Sequence, residues 1–178
     1  MKKADGIPGW VSELSSSWLV GAGTVLTLLQ FIFVFIARSA SNPVWEWAGW
    51  ICLWSAGIFG ILPIISFRKH GRVHKGKSYI HTTRLVKNGL YALVRHPQNG
   101  TAWILINFGL MLIARHWSSF VTGGFSILLA YLDTYKADER CIEKFGNAYR
   151  DYLAKVPRVN FLYGILLRLK KRMDDGEK

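Results

Sequence analysis

The chain has 178 residues, of which 51% are hydrophobic, and its formal net charge is +12. A soluble domain rarely combines so much apolar content with so much charge of one sign, because its apolar residues share the chain with a surface of mixed charge. Nucleic-acid binding is disfavoured, since the basic residues would have to act beside long apolar runs. A membrane protein with segregated charges fits both features, and no acidic residue lies between Glu46 and Asp133.

Four apolar segments follow one another along the chain. The first, from Leu19 to Ala37, carries no charge and has the length that a bilayer-spanning helix needs. The last two are shorter than an average span, which predicts a helical hairpin that tilts or thins the bilayer. We therefore expect one all-α membrane domain over residues 1–178 with about four transmembrane helices. The expected spans are 18–38, 44–67, 99–115 and 118–135, with a polar loop at 68–98 and a polar tail at 136–178.

The lysines and arginines of the connections predict the orientation. The N-terminal segment has two, the central loop eight and the tail after Asp133 eleven, whereas the opposite connections have one each, Arg38 and Arg115. Positively charged connections stay in the cytoplasm, so both termini and the central loop are expected there. The tail ends in a pattern typical of a basic amphipathic helix on the membrane surface, with Leu169 beside Lys170.

Two polar segments on this expected cytoplasmic side are candidates for chemistry. The first ends in Arg95, His96 and Pro97. Pro97 is suited to begin a helix, and the backbone N–H groups after it favour a carboxylate or phosphate. The second segment begins at Asp138 and Glu139. Each side chain also has a structural explanation, because Arg95 can contact lipid phosphates and the two acidic residues can be ordinary surface charges.

No metal site or nucleotide-binding motif is recognisable. His70, His74 and His81 are spaced along the central loop without a nearby carboxylate. The sequence has no P-loop and no Gly-x-Gly-x-x-Gly motif that follows a strand. Cys52 and Cys141 suggest neither a disulfide framework nor a zinc cluster. We therefore expect no metal cofactor and no soluble nucleotide-binding domain.

An ordered set of motifs occupies residues 85–161. The residues are Gly89, Tyr91, Arg95, His96 and Pro97, then an apolar hairpin, and then Phe145, Gly146, Tyr149, Tyr152, Val156, Pro157 and Arg158. In this order they resemble the isoprenylcysteine carboxyl methyltransferase and phospholipid methyltransferase superfamily of integral membrane enzymes. The chain departs from that pattern at Asn99, where the superfamily has a tyrosine, and at Ala137-Asp138, where it has two glutamates.

The resemblance implies an S-adenosylmethionine-dependent methyltransferase. Its cofactor-binding region would be formed on the cytoplasmic side by the 68–97 loop and the C-terminal helical segment. The implied acceptor is lipophilic, such as a prenylcysteine carboxylate or a small lipophilic compound, and it would enter from the bilayer. The cofactor-binding residues carried over are Gly89, Tyr91, His96, Pro97, Asn99 and Asp138, and the catalytic ones are Arg95, Asp138, Glu139 and Arg158.

Other acceptors and another class of protein stay open. Phospholipid N-methylation and thiol S-methylation are alternatives within the same chemistry. A non-catalytic relative that binds lipids or serves as a scaffold is the alternative from a different class, and the departures at Asn99 and Ala137 motivate it. Membrane lipids are expected partners in each case.

Overall fold

A computed structural model describes residues 8–36, 42–71 and 82–176. These residues form helices, turns and irregular backbone without a strand, which confirms the expected all-α fold for this part of the chain. The helices are α1 (Gly9–Ser12), α2 (Ser16–Ile36), α3 (Pro43–His70), α4 (Trp103–Ala114), α5 (Trp117–Phe145), α6 (Asn147–Leu153) and α7 (Phe161–Gly176), with a 3-10 turn at Gly89–Ala92 and a π-helical turn at Pro97–Ala102.

Two helices, α2 and α3, are long and apolar enough to cross a membrane. They have 21 and 28 residues, respectively. Only 22% of the most apolar stretch of α2 and 17% of that of α3 are buried within the protein. Large apolar side chains such as Phe35 and Trp54 face outward instead. Such extended apolar faces indicate a surface that contacts lipid or another partner, and they agree with membrane association.

The helices of the expected hairpin differ from the predicted spans. Residues 99–115 are divided between the π-helical turn and α4, which has 12 residues. Helix α5 has 29 residues and continues well past the expected end at 135. It continues because Asp133 and Asp138 are buried against the protein instead of facing water. It ends at Gly146, whose φ of 56° is adopted readily only by glycine.

Small and polar residues join α2 to α5 along one seam. They recur every seven residues on each helix, a spacing that keeps contacts on one face of a helix. Small side chains let two helix backbones approach closely, and polar ones hydrogen-bond across the interface. The hydrogen-bonded pairs are Ser16 with Asp133, Gly23 with Ser126, and Gln30 with Ser119.

Helix α4 lies between this seam and α3. At the α3 contact, a Cβ atom on either Gly49 or Gly109 would lie 2.8 Å from the carbonyl oxygen of the other. On the opposite side, the fully buried Asn107 accepts hydrogen bonds from Gln30 at its carbonyl oxygen and from Thr27 at its side chain, at 2.9 and 3.1 Å. The close glycine contact and the buried hydrogen bonds together hold the four long helices side by side.

The C-terminal segment returns to the helices and positions the residues before it. Gly164 of α7 packs on Leu93, and a Cβ atom at this glycine would lie 1.8 Å from the Leu93 carbonyl oxygen. The Phe161 ring lies 4.9 Å from that of Phe59. The expected C-terminal amphipathic helix is present, and its outer face exposes apolar residues such as Leu166.

Candidate functional site

Two segments about sixty residues apart in sequence lie side by side. The backbone N–H of Arg95 donates to the carbonyl oxygen of Pro157 at 2.9 Å, and that of His96 donates to the carbonyl oxygen of Arg158 at 3.0 Å. These bonds bring the Arg-His-Pro motif and the Val-Pro-Arg motif together. The order of the motifs along the chain does not by itself reveal this contact.

The backbone after His96 forms a wide turn. The N–H groups of Gly100 and Thr101 both donate to the His96 carbonyl oxygen, at 3.1 and 3.0 Å. The turn needs a glycine at this position, because a Cβ atom on Gly100 would lie 2.5 Å from a methyl group of Val159. Single π-helical turns of this kind are rare and are often found at functional sites.

Four side chains converge on the carboxylate of Asp138, which is 1% exposed. One oxygen, Oδ1, lies 2.7 Å from Nε2 of His96 and accepts a hydrogen bond from the Tyr149 hydroxyl at 2.6 Å. The other, Oδ2, lies 2.9 Å from Nη1 of Arg95 and 3.0 Å from Nη2 of Arg158. We call these five residues the Asp138 cluster. A carboxylate this deeply buried is tolerated because cations and hydrogen-bond donors compensate its charge.

The cluster fixes the protonation of its central residues. Burial alone would raise the pKa of Asp138, but the hydrogen bond and the charge of His96, with Arg95 and Tyr149, outweigh it and hold the pKa well below its usual range. Burial first, and then the charge of Asp138, raise the pKa of the Tyr149 phenol far above its usual range. Tyr149 therefore keeps its proton and acts as a donor.

The two arginines of the cluster retain hydrogen-bonding capacity. Arg158 stacks its guanidinium carbon 3.3 Å above the centre of the Tyr135 ring, an arrangement that favours a cation. Nε of Arg95 and Nη1 of Arg158 are buried and have no hydrogen-bond partner among the described residues. A buried donor without a partner is costly, so both guanidinium groups depend on the Asp138 carboxylate for compensation.

A cavity of about 570 Å³ lies beside the cluster, within the size range typical of small-molecule sites. Its wall combines aromatic and aliphatic side chains with five cationic or imidazole groups. The lining residues are Phe67, Thr82, Arg84, Leu85, Val86, Tyr91, Arg95, His96, Pro97, Gln98, Asn99, Ala137, Arg140, Cys141, Lys144, Phe145, Tyr149 and Tyr152.

Five of the residues predicted for the site line this cavity. They are Tyr91, Arg95, His96, Pro97 and Asn99. Their positions are fixed in part by a hydrogen bond of 2.5 Å from the hydroxyl of Tyr152 to the carbonyl oxygen of Tyr91.

Four other predicted residues do not line the cavity. Asp138 and Arg158 belong to the cluster behind the wall and act on the cavity through His96 and Arg95. Glu139 pairs instead with Lys136 at 2.6 Å, because consecutive helix residues point about 100° apart. Gly89 is exposed at the start of the 3-10 turn, where its φ of 64° favours glycine, so its place is conformational.

One face of α5 was missing from the predicted site. Ala137, Arg140, Cys141 and Lys144 all line the cavity. They are spaced as positions i, i+3, i+4 and i+7, which share a face of a helix. This periodicity is present in the sequence, but the segment was expected to be a polar tail and its inner face was not identified.

No group of three His, Cys, Asp or Glu side chains suited to a metal ion occurs among the described residues. His74 and His81 lie outside them. Comparisons with protein-family models, with curated proteins and with solved structures find no match for this chain.

Proposed function

We propose that this protein is a multi-pass membrane enzyme that transfers a methyl group from S-adenosylmethionine to a lipophilic acceptor. The observation that carries the proposal is the convergence of Arg95, His96 and Tyr149 on one cavity, organised by the buried Asp138, at the end of two apolar membrane-type helices. These residues belong to the motifs that resemble the membrane methyltransferase superfamily.

The packing supports four spans in place of two. Helix α4 contacts α3 at Gly49 and Gly109, and α5 contacts α2 along the seam from Ser16 to Gln30. If α2 and α3 cross the bilayer, α4 and the first half of α5 lie at the same depth. Membrane depth suits α4 and the first half of α5, because the polar side chains of the seam are buried against other helices instead of facing lipid.

The cytoplasmic location of the site rests on the distribution of cations. The central loop and the tail carry nineteen of the chain's 23 lysines and arginines, and connections rich in these residues stay in the cytoplasm. Both termini and the cavity then face the cytoplasm. A single cysteine at Asn88 or Glu143, in a chain without Cys52 and Cys141, should react with an impermeant maleimide from the same side, opposite to one at Trp117. Reaction of positions 88 and 143 from opposite sides would remove the basis for a shared site.

The cavity suits S-adenosylmethionine in size and in chemical character. Arg95 lines the cavity and offers its guanidinium group to the cofactor's carboxylate, and His96 and Pro97 lie in the same wall. The aromatic side chains Phe67 and Tyr91 offer surfaces for the adenine ring or the sulfonium. When bound, S-adenosylmethionine supplies an electrophilic methyl group on its sulfonium.

The chain's own contribution to the reaction is alignment and the exclusion of water. In-line methyl transfer needs the donor and the acceptor held in a reactive geometry, which can account for a large part of the rate. Asp138 is a positioning residue in this scheme, because it contacts His96 and Arg95 and does not reach the cavity. Asn99 lies in the wall in place of the superfamily's tyrosine. The acceptor classes left open by the sequence are a carboxylate, an amine and a thiol.

Calorimetry with S-adenosylhomocysteine on the detergent-solubilised protein tests the proposal. We expect micromolar binding, a loss of at least tenfold in affinity for His96→Ala, and no change for Glu143→Gln, whose side chain is exposed on α5 and does not line the cavity. Absence of binding by the wild-type chain in both detergent and lipid discs would overturn it and favour the non-catalytic, lipid-binding alternative.

A further inference from the structure

A second, smaller cavity of about 80 Å³ lies between α2, the π-helical turn and α5. Its walls are mainly apolar and include Leu19, Val20, Trp103 and Ala130. Val20, at 46% exposure, faces the outer apolar surface of α2. A volume of this size holds a group of about two to three water molecules, which suits the head of an acceptor and not a whole cofactor.

Asp133 is the charged residue of this cavity. Its side chain is 2% exposed, and it accepts a hydrogen bond from the Ser16 hydroxyl. It forms no ion pair with the described residues, since Lys136 pairs with Glu139 and Arg158 with Asp138. Burying a carboxylate without a cation is unfavourable, so a ligand that brings positive charge or N–H donors would be bound preferentially here.

We propose that this cavity is the acceptor subsite and that Asp133 makes it selective for a lipophilic amine. The inference rests on the proposed function for the transfer step, but the binding of an amine here does not depend on that function. The inference also favours an amine over the carboxylate and thiol acceptors that the sequence left open. The charge of Asp133 repels a carboxylate, and a neutral thiol has no complementary charge.

Asn99 connects the two cavities. It lines both the larger cavity and the small one, and it is exposed at the start of the π-helical turn. A methyl donor in the larger cavity and an amine beside Asp133 would therefore approach each other at Asn99. The alkyl chain of the amine can extend past Val20 along the apolar face of α2.

Asp133 favours the transfer as well as the binding. An amine bound as its ammonium ion would first lose one proton to water. The free amine would then form a new carbon–nitrogen bond to the methyl group of S-adenosylmethionine while the carbon–sulfur bond breaks, and the electron pair of the broken bond would stay on sulfur. Positive charge develops on the nitrogen, and its extra proton is then released to water. A carboxylate fixed beside the nitrogen stabilises this developing charge.

Methyl transfer to dodecylamine and to dodecanoate, measured with radiolabelled S-adenosylmethionine, tests the selectivity. We expect the wild type to prefer the amine and Asp133→Asn to raise its KM at least tenfold. Affinity for S-adenosylhomocysteine should stay within twofold of the wild type, because Asp133 does not line the larger cavity. Asp133→Glu should retain amine transfer, and Glu143→Gln should behave as the wild type. A preference for dodecanoate, or an unchanged KM in Asp133→Asn, overturns the proposal.

A direct binding measurement separates this inference from the proposed function. The protein is labelled with 5-fluorotryptophan, and the 19F signal of Trp103 is assigned with Trp103→Phe. This signal should shift on addition of dodecylamine, and Asp133→Asn should need at least a tenfold higher dodecylamine concentration for the same shift. Ala130→Leu fills the cavity and leaves the carboxylate in place, so it should abolish the shift even where Asp133→Asn fails to fold. An equal shift in Ala130→Leu excludes this cavity as the amine site, whether or not the protein binds S-adenosylhomocysteine.

Discussion

Replacing Asp138 by asparagine tests whether the cluster depends on a single carboxylate. The two side chains are nearly isosteric, so the substitution removes charge without leaving a cavity. Arg95 and Arg158 would lose a counter-charge that lies 2.9 and 3.0 Å away, with only 9% and 14% of their side chains exposed. Removing one partner of a buried ion pair costs about 3–5 kcal/mol, because the remaining charge is left buried and uncompensated.

This cost is large enough to measure by thermal unfolding in detergent micelles. In a chain of this size each kcal/mol shifts the melting temperature by about 2–4 °C, so Asp138→Asn should melt about 6–20 °C below the wild type. Glu143→Gln makes the same chemical change at an exposed position of the same helix. Substitutions of exposed residues usually change stability by less than about 0.5 kcal/mol, so this control should melt within about 2 °C of the wild type.

The result that refutes this reasoning is a melting temperature of Asp138→Asn equal to that of Glu143→Gln. It would mean that the two guanidinium groups do not depend on the carboxylate. A second variant makes the interpretation sharper. Adding Arg158→Gln to Asp138→Asn removes a charge of each sign, so the double variant should be more stable than the sum of the two single losses predicts. Strict additivity would contradict the ion pair.

Three further predictions follow from the same geometry. The pKa of Asp138 is depressed in the folded state. The stabilisation by its carboxylate should therefore be complete above the ordinary aspartate pKa of about 4 and should be lost only as the pH falls below that value. If the difference in melting temperature between wild type and Asp138→Asn shrinks between pH 8 and pH 5, this sign is wrong. Gly49→Ala should destabilise the protein by about 1–3 kcal/mol through overpacking against α4. Gly57→Ala has open space around its Cβ position and should be neutral or slightly stabilising. Equal unfolding curves for the two variants would argue against the close contact of α3 and α4. In Cys52→Ser protein, Cys141 should react slowly with a maleimide near neutral pH, because burial raises the pKa of its thiol. S-adenosylhomocysteine should slow this reaction at least fivefold further, because Cys141 lines the larger cavity. If mass spectrometry shows an unchanged rate, the cofactor binds elsewhere.

The sequence predicted the elements that depend on local pattern. The uncharged run that begins at Leu19 became α2, and the Arg-His-Pro motif lies in the wall of the cavity. It did not predict how far α5 extends, because the apolar run ends near Asp133 and the charged residues after it indicate a separate polar segment. That segment is instead held by tertiary contacts, with Asp138 buried at its centre. Local composition cannot distinguish a charge that faces water from one that is paired by residues forty positions away.

The same limit applies to Glu139 and Asp133. Glu139 is a candidate because the resemblance implies a pair of acidic residues here and Glu139 lies one position after that pair, yet helical geometry turns it toward Lys136. Asp133 is not among the residues that the resemblance implies, because it belongs to none of the matched motifs. Its position opposite Ser16 is visible only when the two seven-residue repeats of the seam are aligned in antiparallel order.

The register of the helices places both cavities at the same end of the structure. Gly109 of α4 lies opposite Gly49 of α3, so Pro97 lies about 18 Å further along α3 at about 1.5 Å per residue. That distance reaches about the level of Ile61, and Phe67, which lines the larger cavity, lies about 9 Å further toward the end of α3. The small cavity lies at the level of Ser16, at the start of α2. In the proposed membrane arrangement both cavities therefore lie at one interface. An acceptor with an alkyl chain can then present its head to the site while the chain stays among the lipids, which avoids the free-energy cost of moving apolar surface into water.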